Sequence, residues 1–376
     1  MTKYRTMFRK VPGFSVVVAG ILCGFALQVR GQNAGAGDVP QLQNAHLVKR
    51  AVQGTREDEV GQWTSKTQEA RWLGYAVAEV KGDRTVCCSN WDPAGRACGR
   101  CQLEDRNRGL PINSAGQENV AVHLEDSRQM AVLFRAENGK IGKIRVLSTN
   151  CIADAGGRDV LWLEGVQHSE SVALLMGYVN AEKLDRGYDQ SLGKSALVAI
   201  ALHASAERAL ESFGEPSEPE WLRKEAVFWL GEARGAEGLR ALEKMARTDP
   251  SANVREQMTF ALSVSPEPGA VNEMIRMAHE DQSSQVRGQA LFWLAQKAGK
   301  KAVEAIDGAI QDDPDTEVKK KAVFALSQLP REEAVLKLIQ VAQSNKNPEV
   351  RKQAMFWLGQ SDDPRALKFF EQVLSQ

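Results

Sequence analysis

The residues best equipped for chemistry are five cysteines, Cys87, Cys88, Cys98, Cys101 and Cys151, gathered in the first half of the chain. Thiolates ligate soft metals, exchange disulfides and cross-link in oxidising compartments. Structural disulfides are the default for an exported chain. Cys87 and Cys88 are adjacent, so they would reach separate partners among Cys98, Cys101 and Cys151; five is odd, which leaves one thiol over. A zinc knuckle would use Cys98-x-x-Cys101 with Cys87 or Cys88. A redox pair would use Cys98 and Cys101, without the βαβ setting such pairs have. Haem attachment is excluded, because Gln102 stands where that motif needs His.

Other motifs fail on inspection. The stretch Gly187 to Ser195 resembles a phosphate loop, but its glycine is one residue too far away and no strand precedes it. The histidines (His46, His123, His168, His203, His279) are scattered, with no His-Glu-x-x-His spacing and no Gly-x-Ser-x-Gly elbow. His203 occupies a slot that holds Gly, Ser or Ala elsewhere, and reads as a surface or satisfied core residue. No cofactor is expected.

A second charged set recurs at fixed spacing. Asp249, Asp281 and Asp313 precede Arg255, Arg287 and Lys319 by six positions, and Asn345 with Arg351 continues the series without the acid. These bases lie in a segment repeated every 32 residues: LRKEAVFWLG from Leu222, VREQMTFALS from Val254, VRGQALFWLA from Val286, VKKKAVFALS from Val318 and VRKQAMFWLG from Val350. Val254, Met258, Ala261 and Leu262 form one helical stripe. A second apolar helix follows in each copy, and Asp/Pro/Ser turns such as Thr248 to Ser251 separate the units. A looser copy begins at Lys194. A fixed period with helical patterning predicts a stacked α-solenoid of about six helical pairs over 190–376.

An acid, then Val-Arg or Val-Lys opening the next helix, resembles the HEAT repeat family, above all its short phycobilisome-lyase-like form. The resemblance covers roughly residues 194–376. It implies that Asp249, Asp281, Asp313, Arg255, Arg287, Lys319 and Arg351 form ladders between adjacent repeats. Repeats of this kind also resemble those of bilin lyases and of a metal-dependent hydroxylase. The hydroxylase chemistry needs paired His-Glu on its repeats to hold iron, and none occurs here.

Upstream, Met1 to Lys10 carries four basic residues and no acid, followed by an apolar run from Phe14 to Leu27. That pattern predicts a signal peptide over 1–31, with an uncleaved anchor as the alternative, and export to a bacterial-type periplasm or beyond. The whole chain has 48 basic and 48 acidic residues; without the five basic residues of 1–31 the balance is 43 against 48, which argues against a nucleic-acid footprint. Residues 32–67 read as a linker with one short element, the weakly apolar stretch Ala45 to Val52. Residues 68–180 read as a β-rich module holding all the mature cysteines. Its strands are expected at 72–80, 119–124, 130–135, 141–148 and 159–163, with Asn138-Gly139 as a hairpin turn and Ser169 capping a helix.

The function expected is therefore an exported scaffold that binds protein partners, not an enzyme; thiol redox or metal binding through Cys87 to Cys101 is the alternative. Contacts are expected on the second helices and turns, and at Phe369 or Phe370 on the last helix. The residue after the recurring Phe alternates Trp229, Ala261, Trp293, Ala325, Trp357. If each Trp packs over a neighbour's Ala, Trp293→Ala lowers stability by about 3–5 kcal/mol. A thermal melt unchanged by it refutes that packing.

Overall fold

The computed structural model describes residues 39–52, 56–81, 85–87, 90–92, 101–104, 129–182 and 192–375. All of them fall in one compact unit, Ala36–Gln376. The leader, the strand expected at 119–124, Cys88, Cys98 and Gly187 to Ser191 lie outside the described residues.

The chain enters as strand β1 (Gln41–Ala51) and helix α1 (Arg56–Lys66), followed by β2 (Arg71–Ala78), β3 (Thr85–Cys87), β4 (Asn90–Asp92), β5 (Cys101–Gln102), β6 (Gln129–Glu137), β7 (Lys140–Ser148) and β8 (Ile152–Glu164). The main sheet runs β1-β8-β2-β6-β7, with β5 against β8; β3 and β4 pair apart from it. Strands β1 and β2 both lie parallel to β8, while β2, β6 and β7 are antiparallel. The β6–β7 hairpin turns at Asn138 and Gly139, with φ of 51° and 71°. Those positive values are what an Asn-Gly turn accepts.

Both sheet faces are buried, so β2 and β6 read as nearly continuous apolar runs. Leu73, Tyr75, Val132, Phe134 and Val146 face the helices, whereas Trp72, Leu133, Leu147 and Trp162 share the opposite core with Cys101, Leu103 and Cys151. The expected linker is thus a correction: 32–67 contains β1 and α1. β1 overlaps the weakly apolar Ala45 to Val52 and is longer than that stretch; it is largely exposed on both faces and shows no alternation, so its length was not legible. Its backbone is satisfied by β8, more than a hundred residues later.

Fourteen helices occur among the described residues. After α2 (His168–Glu182), which starts before Ser169 and so takes no cap from it, six pairs follow: α3 (Leu192–Leu202) with α4 (Glu207–Phe213), α5 (Glu220–Ala233) with α6 (Gly235–Thr248), α7 (Ala252–Val264) with α8 (Gly269–Glu280), α9 (Ser284–Ala298) with α10 (Lys300–Asp312), α11 (Thr316–Ser327) with α12 (Arg331–Ser344), and α13 (Pro348–Gly359) with α14 (Pro364–Leu374). Turn residues start several of them. Ser251 Oγ accepts from Val254 N–H, Asp315 from Glu317 N–H, and Asn347 from Glu349 N–H.

The first helices of successive pairs pack directly on one another from α5 to α13, whereas second helices meet at far fewer positions. A stack tighter on one side curves toward that side. Gly231 shows how tight it is: the Ala261 carbonyl oxygen lies 2.4 Å from where a Cβ would stand. The small-residue contact is Gly231 against Ala261, and Trp293 rests on the Phe260 ring at 5.0 Å. Trp293 is half-exposed, which puts Trp293→Ala near the lower end of its range, about 3 kcal/mol.

The solenoid is welded to the sheet. Past β2, Val80 N–H donates to Leu202 O (2.8 Å) and Ala204 N–H to Ala78 O (2.9 Å), so the end of α3 extends the strand by a bridge, Glu79 to His203. One apolar core consequently runs from Leu73 to Phe369. Around the weld, Ser148 Oγ donates to Glu79 (3.3 Å), and Arg234 reaches the carbonyls of Ile200 and His203 (2.8 Å each) and Glu207 (3.0 Å).

His203 is fully buried, and its Nδ1 accepts from Ser205 N–H. Burial, with His168 and Arg234 nearby, pushes its pKa down from 6.5 to about 3. Unfolded, the same imidazole protonates near 6.5. Between those values the unfolded chain binds the extra proton, so stability falls as pH drops below about 6.5, by about 2 kcal/mol at pH 5 from this group. His203→Ala is expected to flatten that slope in urea melts taken between neutral pH and pH 4; an unchanged slope removes His203 as its source.

Candidate functional site

The repeat charges assemble into rungs. Arg223 holds Asp249, Arg255 holds Asp281 and Arg287 holds Asp313, each through Nε and Nη2 to the two carboxylate oxygens at 2.7–3.3 Å. Every pair is buried. Each acid does further work, since its Oδ1 accepts the backbone N–H two residues on, at Ser251, Ser283 and Asp315. Two of the bases also reach back six residues, Arg255 to Asp249 O and Arg287 to Asp281 O at 2.8 Å, and Arg223 reaches the carbonyls of Pro216 and Glu218. The Asp313 carboxylate beside it raises the pKa of Arg287. A planar guanidinium suits these simultaneous contacts.

Two expected ladder residues depart from the pattern. Lys319 donates to Gln311 O rather than to an acid, and the carboxylate position it would face is Asn345. Arg351 donates to Asn345 O and Lys346 O. Arg223 was missed in the sequence because the position six before it is Ser217, not an acid.

The rungs hold the first helices in register, and an aromatic column results. Phe228 stacks on Phe260 (6.1 Å, 9°), Trp293 tilts onto Phe260, Phe292 stacks on Phe324 (5.9 Å, 7°), and Trp357 tilts onto Phe324 (4.9 Å). The column is half-buried until Phe356, which is 54% exposed. One turn to either side stand glutamines: Gln257, Gln289 and Gln353 before the Phe, and Gln296, Gln328 and Gln360 after it. Apart from Gln328, their side chains make no hydrogen bond among the described residues.

The second helices differ. There Arg247 pairs with Glu273, Glu273 with Arg276, and Arg276 with Glu280, while Lys337 pairs with Asp307.

The last helix brings a correction. Phe369 is 3% exposed, because its side of α14 turns into the core with Ala366, and Phe370 is half-buried. The exposed apolar residues nearby are Leu367 (63%) and Leu374 (85%). In the β module, Cys101 is disulfide-bonded and Cys151 is a buried residue of the same core. The side chains of Cys87, Cys88 and Cys98 lie outside the described residues. No group of three His, Cys, Asp or Glu among the described residues could hold a metal ion, and no described helix is long and apolar enough to cross a membrane.

Residues 207–295 and 303–376 match the family model for HEAT repeats. Among solved structures, human deoxyhypusine hydroxylase in complex with glycerol is similar at 18% identity, over 45% of this chain and 68% of that one, with a TM-score of 0.30. The complex of CpcE and CpcF of phycocyanin lyase from Nostoc sp. PCC7120 is similar at 19% identity, over 52% of this chain and 76% of that one, with a TM-score of 0.31. No curated protein matches the chain.

Removing one member of a rung strands the other as a buried charge. Asp281→Ala is expected to cost about 3–5 kcal/mol in chemical denaturation. Arg255→Met together with Asp281→Leu should restore most of that, short of the lost turn bond at Ser283, about 1 kcal/mol. A double variant as unstable as the single one refutes the buried-charge account.

Proposed function

We propose, for a chain whose C-terminal half is a HEAT repeat array, that it is an exported scaffold binding a protein partner along its first-helix face. The carrying observation is the contrast between faces. The second helices α6 and α8 are bridged by paired charges, as in Arg247–Glu273–Arg276. First helices present an aromatic column edged by uncommitted carboxamides, on the side toward which the stack tightens. Aromatic area with adaptable hydrogen-bonding groups is the composition of protein-binding surfaces. A solenoid offers it over a long span. Export is supported by the basic and apolar leader and by the disulfide at Cys101.

Photo-cross-linking tests the choice of face. A benzoylphenylalanine placed at Gln289 should capture a protein partner in cells, and one at Arg240, on the second-helix face, should not. Phe292→Asp should abolish capture from Gln289 in a variant that still unfolds cooperatively in a thermal melt. Capture from Arg240 alone overturns the proposal.

A further inference from the structure

A groove of about 680 Å³ lies outside the solenoid, between α1, α2 and the β6–β7 hairpin. Its floor is apolar and reaches the main core: Val60 and Leu174 are buried, and Tyr178 packs on the Phe134 ring at 5.8 Å. Two glycines line it from opposite helices, Gly61 on α1 and Gly177 on α2. Glycine inside a helix weakens it relative to alanine, so a reason is expected. Packing within the chain is not the reason, because nothing stands within 4 Å of the Cβ position at either one. Both backbones are bare toward open space.

Two hydroxyls line the same space without a hydrogen bond among the described residues. Thr64 is 9% exposed and its Oγ1 is fully buried and unpartnered. Burial pushes the Tyr178 phenol up to about 12, so it stays a neutral donor. At the rim stands the exposed Lys140. The space falls within the usual range for small-molecule sites, which are apolar with a few placed polar groups.

We propose that this groove binds a small amphipathic acid, its hydrocarbon body lying against Gly61, Gly177 and Val60 and its carboxylate meeting Lys140. The apolar floor selects the body, the bare helix backbones admit it closely, and the single cation at the rim selects the head.

Titration of the full chain with the fluorescent fatty acid dansyl-undecanoic acid tests this, with neutral dansyl-undecanol alongside. Saturable binding with a blue-shifted emission is expected. Gly177→Leu places a side chain in the open space and should weaken binding by at least about tenfold, while the variant melts no lower than the parent. Lys140→Met should weaken the acid about fivefold and leave the alcohol unchanged. Absent saturable binding, or binding indifferent to Gly177→Leu in a variant that folds, overturns the site. Equal weakening of acid and alcohol by Lys140→Met overturns the carboxylate assignment.

Discussion

A guanidinium buried against a carboxylate 26 residues further along is the contact from which the C-terminal half takes its order. Helical propensity and apolar stripes alone would give amphipathic helices free to slide. The Arg–Asp rung removes that freedom. It ties one first helix to the turn that begins the next, and the same acid shapes that turn. Such a pair contributes little net stability after desolvation, but any register that leaves either member alone in the interior is heavily disfavoured. Register is what the Phe228–Phe260 and Phe292–Phe324 stacks require.

The array begins at the end of an interior strand of the sheet. The hydrogen bonds from Val80 and Ala204 join α3 to the end of β2, and the same core continues on both sides. The first pair therefore needs no polar cap. The buried groups at this join, Glu79, His203 and Arg234, are the cost of passing a strand's polar backbone ends into a helical stack.

Much of this was legible in the sequence. The 32-residue period gave the pairs, since a helix apolar around most of its girth needs a neighbour on each side. Asn138-Gly139 gave the hairpin. The two sides of the stack were not legible, because the Arg247–Glu273 bridge joins residues 26 apart on different helices, and a lone sequence assigns them no partner. Phe369 and Phe370 stand side by side in Leu367 to Leu374, and only the fold decides which side of α14 turns inward. β1 carried no alternation at all. The groove was invisible for a related reason: Gly61 and Gly177 are remote in the chain and meet only across folded helices.

The substitution of Lys319 and Asn345 for the usual Arg and Asp has a mechanical meaning. The fifth and sixth pairs meet without an Arg–Asp rung: Asn345 Nδ2 turns back to Ile310 O of the fourth pair at 3.4 Å, and a neutral hydrogen bond from Asn347 Nδ2 to Thr316 Oγ1 at 3.0 Å links α13 to α11. In a chain of nearest-neighbour couplings, opening begins at the weakest joint. The array is a stiff stem with a compliant tip, and α13 with α14 can swing or fray as a unit while the four rung-bearing first helices stay closed.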